Sequence, residues 1–273
     1  MRAWFNGSVL DDPATAVIGI DDHGLTVGDG VFESLKIVDD VPFALTRHLD
    51  RLAASAAGLD LPAPDLDEVR SGVAEVLAGT ELPLGRLRIT YTAGPAPLGS
   101  GRGAGPATLV VVADMMAPAE ETTAIVRVPW VRNERSAVAG LKTTSYAENV
   151  VALARAKESG ASEAIFANTV GGLCEGTGSN IGYVIGGQAR TPSLASGCLA
   201  GVTRALLLEW CDVVEVDEPI GVLDEAEEVF LVSTTRDVQP VHRVDDRVLQ
   251  APGPVTLRLR ETWRRGAAGS LDP

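Results

Sequence analysis

Short strand-like runs, separated by turns rich in glycine and proline, recur along the whole chain and constrain its fold more than any other feature. The clearest is VGDGVFESLKIV, where strict alternation puts Val31, Glu33, Leu35 and Ile37 on one strand face and Phe32, Ser34 and Lys36 on the other. Glu33 therefore shares a face with apolar neighbours. MRAWFNGSVL reads as a hairpin turning at Asn6-Gly7. RLRITYTAG (86–94), ATLVVVADM (107–115), AIVRVPW, EAIFAN, IGYVIG and EVFLVSTTRDVQPV read as further strands. Hairpins mixed with single helices argue for an α+β fold over regular βαβ winding.

Helical spacing marks the other elements. Thr46 reads as the N-cap of a helix running to about Ala57, with Leu49, Leu52, Ala53 and Ala56 as its apolar stripe. Arg47 and Arg51, four residues apart, lie together off that stripe. Asp65 caps a second helix with Val69, Val73, Val76 and Leu77 facing inward. Ala147–Ser159 and a segment beginning near Val202 complete the helices. The Gly/Pro-rich loop PAPLGSGRGAGP follows the strand at 86–94, and loops of this length are often functional. The polar segment MAPAEETT reads as a linker (116–123) between a domain at 1–115 and one at 124–273.

Charge and composition exclude several classes. The net charge of −14 disfavours broad nucleic-acid binding. No uncharged apolar run approaches the ~18 residues of a membrane span, and the opening residues do not read as a secretory signal. Cys174, Cys198 and Cys211 have no framework spacing, so the expectation is a reduced, cytoplasmic protein. Of 23 basic residues only Lys36, Lys142 and Lys157 are lysines, so lysine chemistry has three candidates. Lys157 has charged helical neighbours, and Lys36 lies in a strand where exposure is the ordinary expectation.

Familiar motifs fail. GTGSNIG has GxGxxxG spacing and precedes a strand where a dinucleotide fingerprint needs a helix. His23, His48 and His242 lack zinc-ligand spacing and read as surface or capping residues, and no metal is expected. Four segments fit one chemistry. Lys142 sits in the weakly charged stretch GLKTTSY, where desolvation would make its amine nucleophilic. Glu175, in LCEGTGSN, is a lone carboxylate that needs a cationic or protonated partner if buried. Gly201-Val202-Thr203-Arg204 opens a helix whose free N–H groups suit a phosphate. Ser233-Thr234-Thr235-Arg236 places three hydroxyls and a guanidinium after an apolar strand.

Taken in order, GDGVFES, RHLDRL, GLKTTSYAEN, EAIFAN, LCEGTGSN, GCLAGVTR and STTRDVQPV resemble the fold-type IV (class IV) pyridoxal-phosphate enzymes, which include branched-chain and D-amino-acid aminotransferases and aminodeoxychorismate lyase. The resemblance covers nearly the whole chain. It implies a small N-terminal α/β domain and a larger C-terminal, β-rich pseudo-barrel domain, with pyridoxal 5'-phosphate between them, in a homodimer. It implies that Lys142 carries the cofactor and moves the substrate proton, and that Glu175 pairs with the pyridine nitrogen. Arg51, Val202, Thr203 and Thr234 would hold the phosphate. Tyr146 would stand near the phenolic oxygen, although its offset from the lysine is one residue short of the branched-chain enzymes.

The substrate is then a small amino compound. Phe32, Arg88, Thr235 and Arg236 are the candidates for contacting it, with Arg236 offered for a carboxylate or, alternatively, as a surface partner of Asp237. Ala93 stands where an arginine is often found, and Arg102 in the loop Leu98–Gly103 is a candidate replacement cation. The overall wording leans towards aminodeoxychorismate lyase, with release of pyruvate and 4-aminobenzoate in folate biosynthesis. The alternative is a D-amino-acid or branched-chain-like aminotransferase.

Overall fold

Alternation in the N-terminal segments produces one curled antiparallel sheet. In a computed structural model that describes residues 1–15 and 17–273, the elements are β1 (Arg2–Phe5), β2 (Ser8–Val9), α1 (His23–Thr26), β3 (Gly30–Val38), β4 (Val41–Pro42), α2 (Leu45–Gly58), α3 (Leu66–Leu77), β5 (Leu84–Thr92) and β6 (Thr108–Met115). The strand order is β2-β1-β6-β5-β3-β4. The register pairs Glu33 with Ile89, Leu35 with Leu87, and Ile89 with Val111. One face thereby gathers Val31, Leu35, Ile37, Leu87, Ile89 and Val111 beneath Leu49 and Leu52 of α2 and Val69, Val73 and Val76 of α3. Burying each such side chain contributes about 1.5–3 kcal/mol. The other face carries Phe32, Ser34, Arg88 and Thr90.

The helix starts illustrate two kinds of cap. Asp65 accepts from the backbone N–H of Asp67 and Glu68, as its sequence position predicts. Thr46 does not cap α2. The helix begins at Leu45 after Ala44, which is left-handed at φ 56°. The carboxylate of Asp272 takes the Thr46 N–H at 2.9 Å and its hydroxyl at 2.6 Å. A residue 226 positions away does what the local sequence assigned to Thr46. Lys36 is buried, not exposed, with its ammonium 5.5 Å from the Phe43 ring centroid.

The second sheet is mixed. Its elements are β7 (Thr123–Arg132), α4 (Ala147–Glu158), β8 (Glu163–Asn168), β9 (Leu173–Gly176), β10 (Asn180–Ile185), β11 (Gln188–Thr191), α5 (Val202–Trp210), β12 (Val213–Glu215), β13 (Glu228–Ser233), β14 (Asp237–Val244), β15 (Arg247–Val248) and α6 (Pro254–Gly269). The order is β12-β11-β10-β13-β14-β7-β8-β9, with β15 on β14. Two parallel pairs, β7·β8 and β11·β12, each enclose a crossover helix. β7 also runs parallel to β14, and every other pairing is antiparallel. Phe230, Tyr183, Ile165, Ile181 and Leu231 are fully buried in this unit. Gly182 has no side chain because the ring of Phe230, its cross-strand partner, occupies that space. A Cβ there would lie 2.2 Å from Phe230 Cζ.

Contacts divide the chain into one unit of residues 1–118, 141–146 and 271–273 and another of 119–140 and 147–270. The reading of 124–273 as one domain carrying the lysine differs from this partition at Lys142. The segment around it zips onto β3: Phe32 N–H donates to Lys142 O at 3.0 Å, Thr144 N–H to Gly30 O at 2.8 Å, and Val31 bridges Thr143. Among the described residues no helix is long and apolar enough to cross a membrane.

Candidate active site

The first unit assembles an amine, two rings and a guanidinium on the face of its sheet away from α2 and α3. Lys142 N–H donates to Ser55 Oγ of α2 at 3.2 Å, and this bond with the zipper to β3 fixes the lysine backbone. The half-buried Lys142 side chain brings Nζ to 4.3 Å from the Phe32 ring centroid and 5.9 Å from that of Tyr146. Phe32 and Tyr146 pack edge to face at 5.3 Å. Arg88, one strand over on β5, lays its guanidinium 3.9 Å from the Phe32 centroid and donates through Nε to Thr90 Oγ1. Three of the expected residues, Lys142, Tyr146 and Arg88, thus meet around the ring of a fourth, Phe32.

Beneath the same strand lies a buried ionic cluster. Arg51 grips Glu33 with two hydrogen bonds, Nε to Oε1 at 2.8 Å and Nη2 to Oε2 at 2.7 Å. His48 Nδ1 reaches the same carboxylate at 2.7 Å. Burial alone would raise the Glu33 pKa, but the charge of Arg51 and the hydrogen bonds from Arg51 and His48 outweigh it and hold the carboxyl at about 2. Burial holds the His48 pKa below its usual value, against the pull of Glu33. His48 and His23 are therefore not surface residues: both are buried, and His23 contacts Gly99 O at 3.1 Å and Asp29 at 3.4 Å. His242 is exposed and meets Thr122. Arg102 donates a fork to Asp29 at 2.7 Å and further bonds to Leu59 O and Asp60 O. Its donors are spent on holding its own loop, so it is no replacement cation for a substrate.

The second unit carries the remaining candidates. Glu175 accepts from Leu199 N–H at 2.9 Å, and Arg132 Nε stands 3.3 Å from its other oxygen. Arg132 is held over the Phe166 ring at 4.2 Å and bonds Glu148 and Asn149. The sequence reading ended its strand at AIVRVPW and missed this arginine. Its one sequence signal is a second cation, five residues after Arg127, at the end of a mostly apolar strand. Helix α5 starts at Gly201 with no side-chain cap, followed by buried Thr203. Gly201 is required by contact: a Cβ there would lie 2.0 Å from Asn180 Oδ1, and Asn180 is held by its bond to Leu199 O. Thr234 and Thr235 are half-buried in the turn after β13, where the buried hydroxyl of Ser233 has no hydrogen-bond partner.

Arg236 is committed elsewhere in that turn. It bonds Ser162 through its hydroxyl and carbonyl at 3.1 Å, bonds Gln239, and stands 3.4 Å from Glu163. Glu163 in turn gathers the backbone and hydroxyl of Thr177 and the hydroxyl of Ser179. The arginine is therefore neither a carboxylate hook nor a surface partner of Asp237 alone. It ties the 233–236 turn to β8 and, through Glu163, to the loop 176–180.

The donor set fits pyridoxal phosphate. An uncapped helix start with buried Thr203, and a turn with an orphaned buried hydroxyl, are chemistry for a phosphate ester. A carboxylate held by a backbone N–H suits a protonated ring nitrogen, and a half-buried amine suits an aldehyde.

The fold defines the class: the chain superposes on branched-chain aminotransferase from the archaeon Thermoproteus uzoniensis with a TM-score of 0.91, at 27% identity, covering 98% of this chain and 95% of that one. It is also 32% identical to a D-alanine aminotransferase of Bacillus licheniformis, over 95% of each chain. A Mycobacterium tuberculosis protein named as a bifunctional aminodeoxychorismate lyase / D-amino acid transaminase is 29% identical over 91% of this chain and 93% of its own. These are pyridoxal-phosphate enzymes of fold type IV. The family profile, amino-transferase class IV, matches residues 30–244, and the chain belongs to that family.

Proposed function

We propose that this enzyme is an aminotransferase acting on an α-amino acid with one carboxylate close to the reacting carbon, using a 2-oxo acid as acceptor. The observation that carries this reading is the shared ring of Phe32, with the Lys142 amine at 4.3 Å and the Arg88 guanidinium at 3.9 Å. An α-amino acid offers an amine and a carboxylate separated by a single carbon. Aminodeoxychorismate presents two carboxylates, and of the arginines that the sequence offered for them, Arg102 and Arg236 are spent on Asp29 and on Ser162, Gln239 and Glu163.

In this reading Lys142 holds the cofactor and moves the α-proton. Pyridoxal phosphate, when bound, supplies an electron sink for the charge left behind. Glu175, held between Leu199 N–H and Arg132, keeps a proton on the ring nitrogen. Arg51, Val202, Thr203 and Thr234 hold the phosphate. Tyr146 stands by the phenolic oxygen and positions the Phe32 ring, and Thr235 borders the substrate. Arg88 takes the substrate carboxylate. The enzyme works as a homodimer, a reading supported by the exposed apolar side chains of Ile20, Leu25, Val150 and Val151.

The test uses purified holoenzyme. L- and D-amino acids should each be tried with 2-oxoglutarate while cofactor absorbance is followed, and aminodeoxychorismate should be supplied in parallel. Amino-acid-dependent conversion of the cofactor to its amine form without 4-aminobenzoate is expected. Stoichiometric pyruvate and 4-aminobenzoate would overturn the reading in favour of the lyase.

A further inference from the structure

Glu33 takes no part in the chemistry above, yet it is a fully buried carboxylate on the apolar face of β3, among Val31, Leu35 and Ile37. We propose that Glu33 and His48 are positioning residues that lock the Arg51 guanidinium in the orientation that presents its outer edge to the cofactor phosphate. The proposal rests on the reading of Arg51 as a phosphate ligand.

Three features carry it. The Arg51–Glu33 contact is a fork, Nε to Oε1 and Nη2 to Oε2, and two parallel bonds fix a guanidinium plane where one bond leaves it free to turn. His48 and Arg51 are three residues apart on α2, so one helical turn sets both above the same β3 residue. His48 then gives the carboxylate a third contact at 2.7 Å, which stops it rotating.

The His48 ring is expensively placed. With Glu33 ionised, Nδ1 is the donor, and Nε2 is left as a buried acceptor with no hydrogen-bond partner. An apolar side chain would fill the space at less cost, so what the ring achieves is its hold on Glu33. Glu33 also cannot be explained by charge alone. A carboxylate beside an anion site repels a phosphate, so simple neutralisation of Arg51 works against binding. Orientation and neutralisation therefore predict opposite signs when the charge of Glu33 is removed.

The experiment compares pyridoxal phosphate with pyridoxal, which lacks only the phosphate, titrated onto the full chain after its cofactor is stripped. The ratio of the two affinities reads the phosphate site and is unmoved by a general loss of stability. Glu33→Gln and His48→Leu should each reduce that preference about tenfold or more, the range of one charged hydrogen bond, with pyridoxal affinity unchanged. His48→Asn, whose amide nitrogen falls near the position of Nδ1, should restore it. In an Arg51→Ala background Glu33→Gln should have no further effect. An unchanged or increased preference in Glu33→Gln overturns the proposal. Should that variant fail to fold, equal ratios in His48→Leu and wild type do the same. If Arg51→Ala itself keeps the full preference, Arg51 is no phosphate ligand, and the reading falls together with the proposal built on it.

Discussion

Acid should destabilise this protein in part through Glu33, and the size of the effect follows from its surroundings. The carboxyl sits at about 2 in the folded chain against a usual value of 4.5. That difference corresponds to roughly 3 kcal/mol in favour of the fold. Because the folded value is the lower one, the contribution is fully present above the unfolded value and is lost as pH falls from about 4.5 towards 2. By about pH 3.5 roughly 1 kcal/mol of it should be gone, by the same relation. Other carboxylates also titrate in this range, so the measurement is a difference: urea unfolding of wild type and Glu33→Gln, each at pH 7 and about pH 3.5, at one protein concentration. At pH 7 the variant should be less stable by about 3 kcal/mol, since a buried guanidinium loses its counter-ion. At the lower pH the gap should narrow by roughly 1 kcal/mol. A gap of the same size at both values would refute the ionised, doubly held Glu33 described above.

Other parts of the structure are equally open to test. Gly182→Ala places a Cβ 2.2 Å from Phe230 Cζ and should cost about 1–3 kcal/mol through overpacking; an unmoved denaturation midpoint would contradict the close approach of that ring. Arg88→Ala should raise KM for the amino acid about tenfold to a hundredfold and leave cofactor affinity alone, whereas parallel losses in both would make it a structural residue. Arg236→Ala strands the buried Glu163 carboxylate and should lower stability by about 1–3 kcal/mol, with cofactor and substrate binding weakened together; a selective loss of substrate binding would return the arginine to the pocket.

The parts legible in the sequence are those set by local periodicity. Alternation over residues 30–38 placed Glu33 on the same face as Val31 and Leu35, and the register against β5 bears that out. Asp65 sits where a side-chain cap must sit, and the α3 start follows. Lys142, Glu175 and the Gly201 helix start drew notice because their residue types are unusual for their settings. Other readings failed where the deciding partner lay far along the chain. Thr46 lost its cap role to Asp272, Arg236 was drawn to Ser162 74 residues away, and Arg132 found Glu175 on another strand. Lys36 looked exposed because alternation says which face a residue takes and not what covers that face.

The chain's own order of residues was enough to mark most of the strands and helices α2 to α5, though not the C-terminal α6, to set the apolar faces of β3, α2 and α3, and to single out which amine and carboxylate are candidates for chemistry. It also carried the family pattern from residue 28 to 241. Only the tertiary structure decided which cations are free to meet a substrate. A guanidinium has the same sequence signature whether it forks onto Asp29, ties a turn to β8 or lies over Phe32. Its role is set by hydrogen-bond geometry at about 3 Å, and that geometry exists only once strands distant in sequence have been brought side by side.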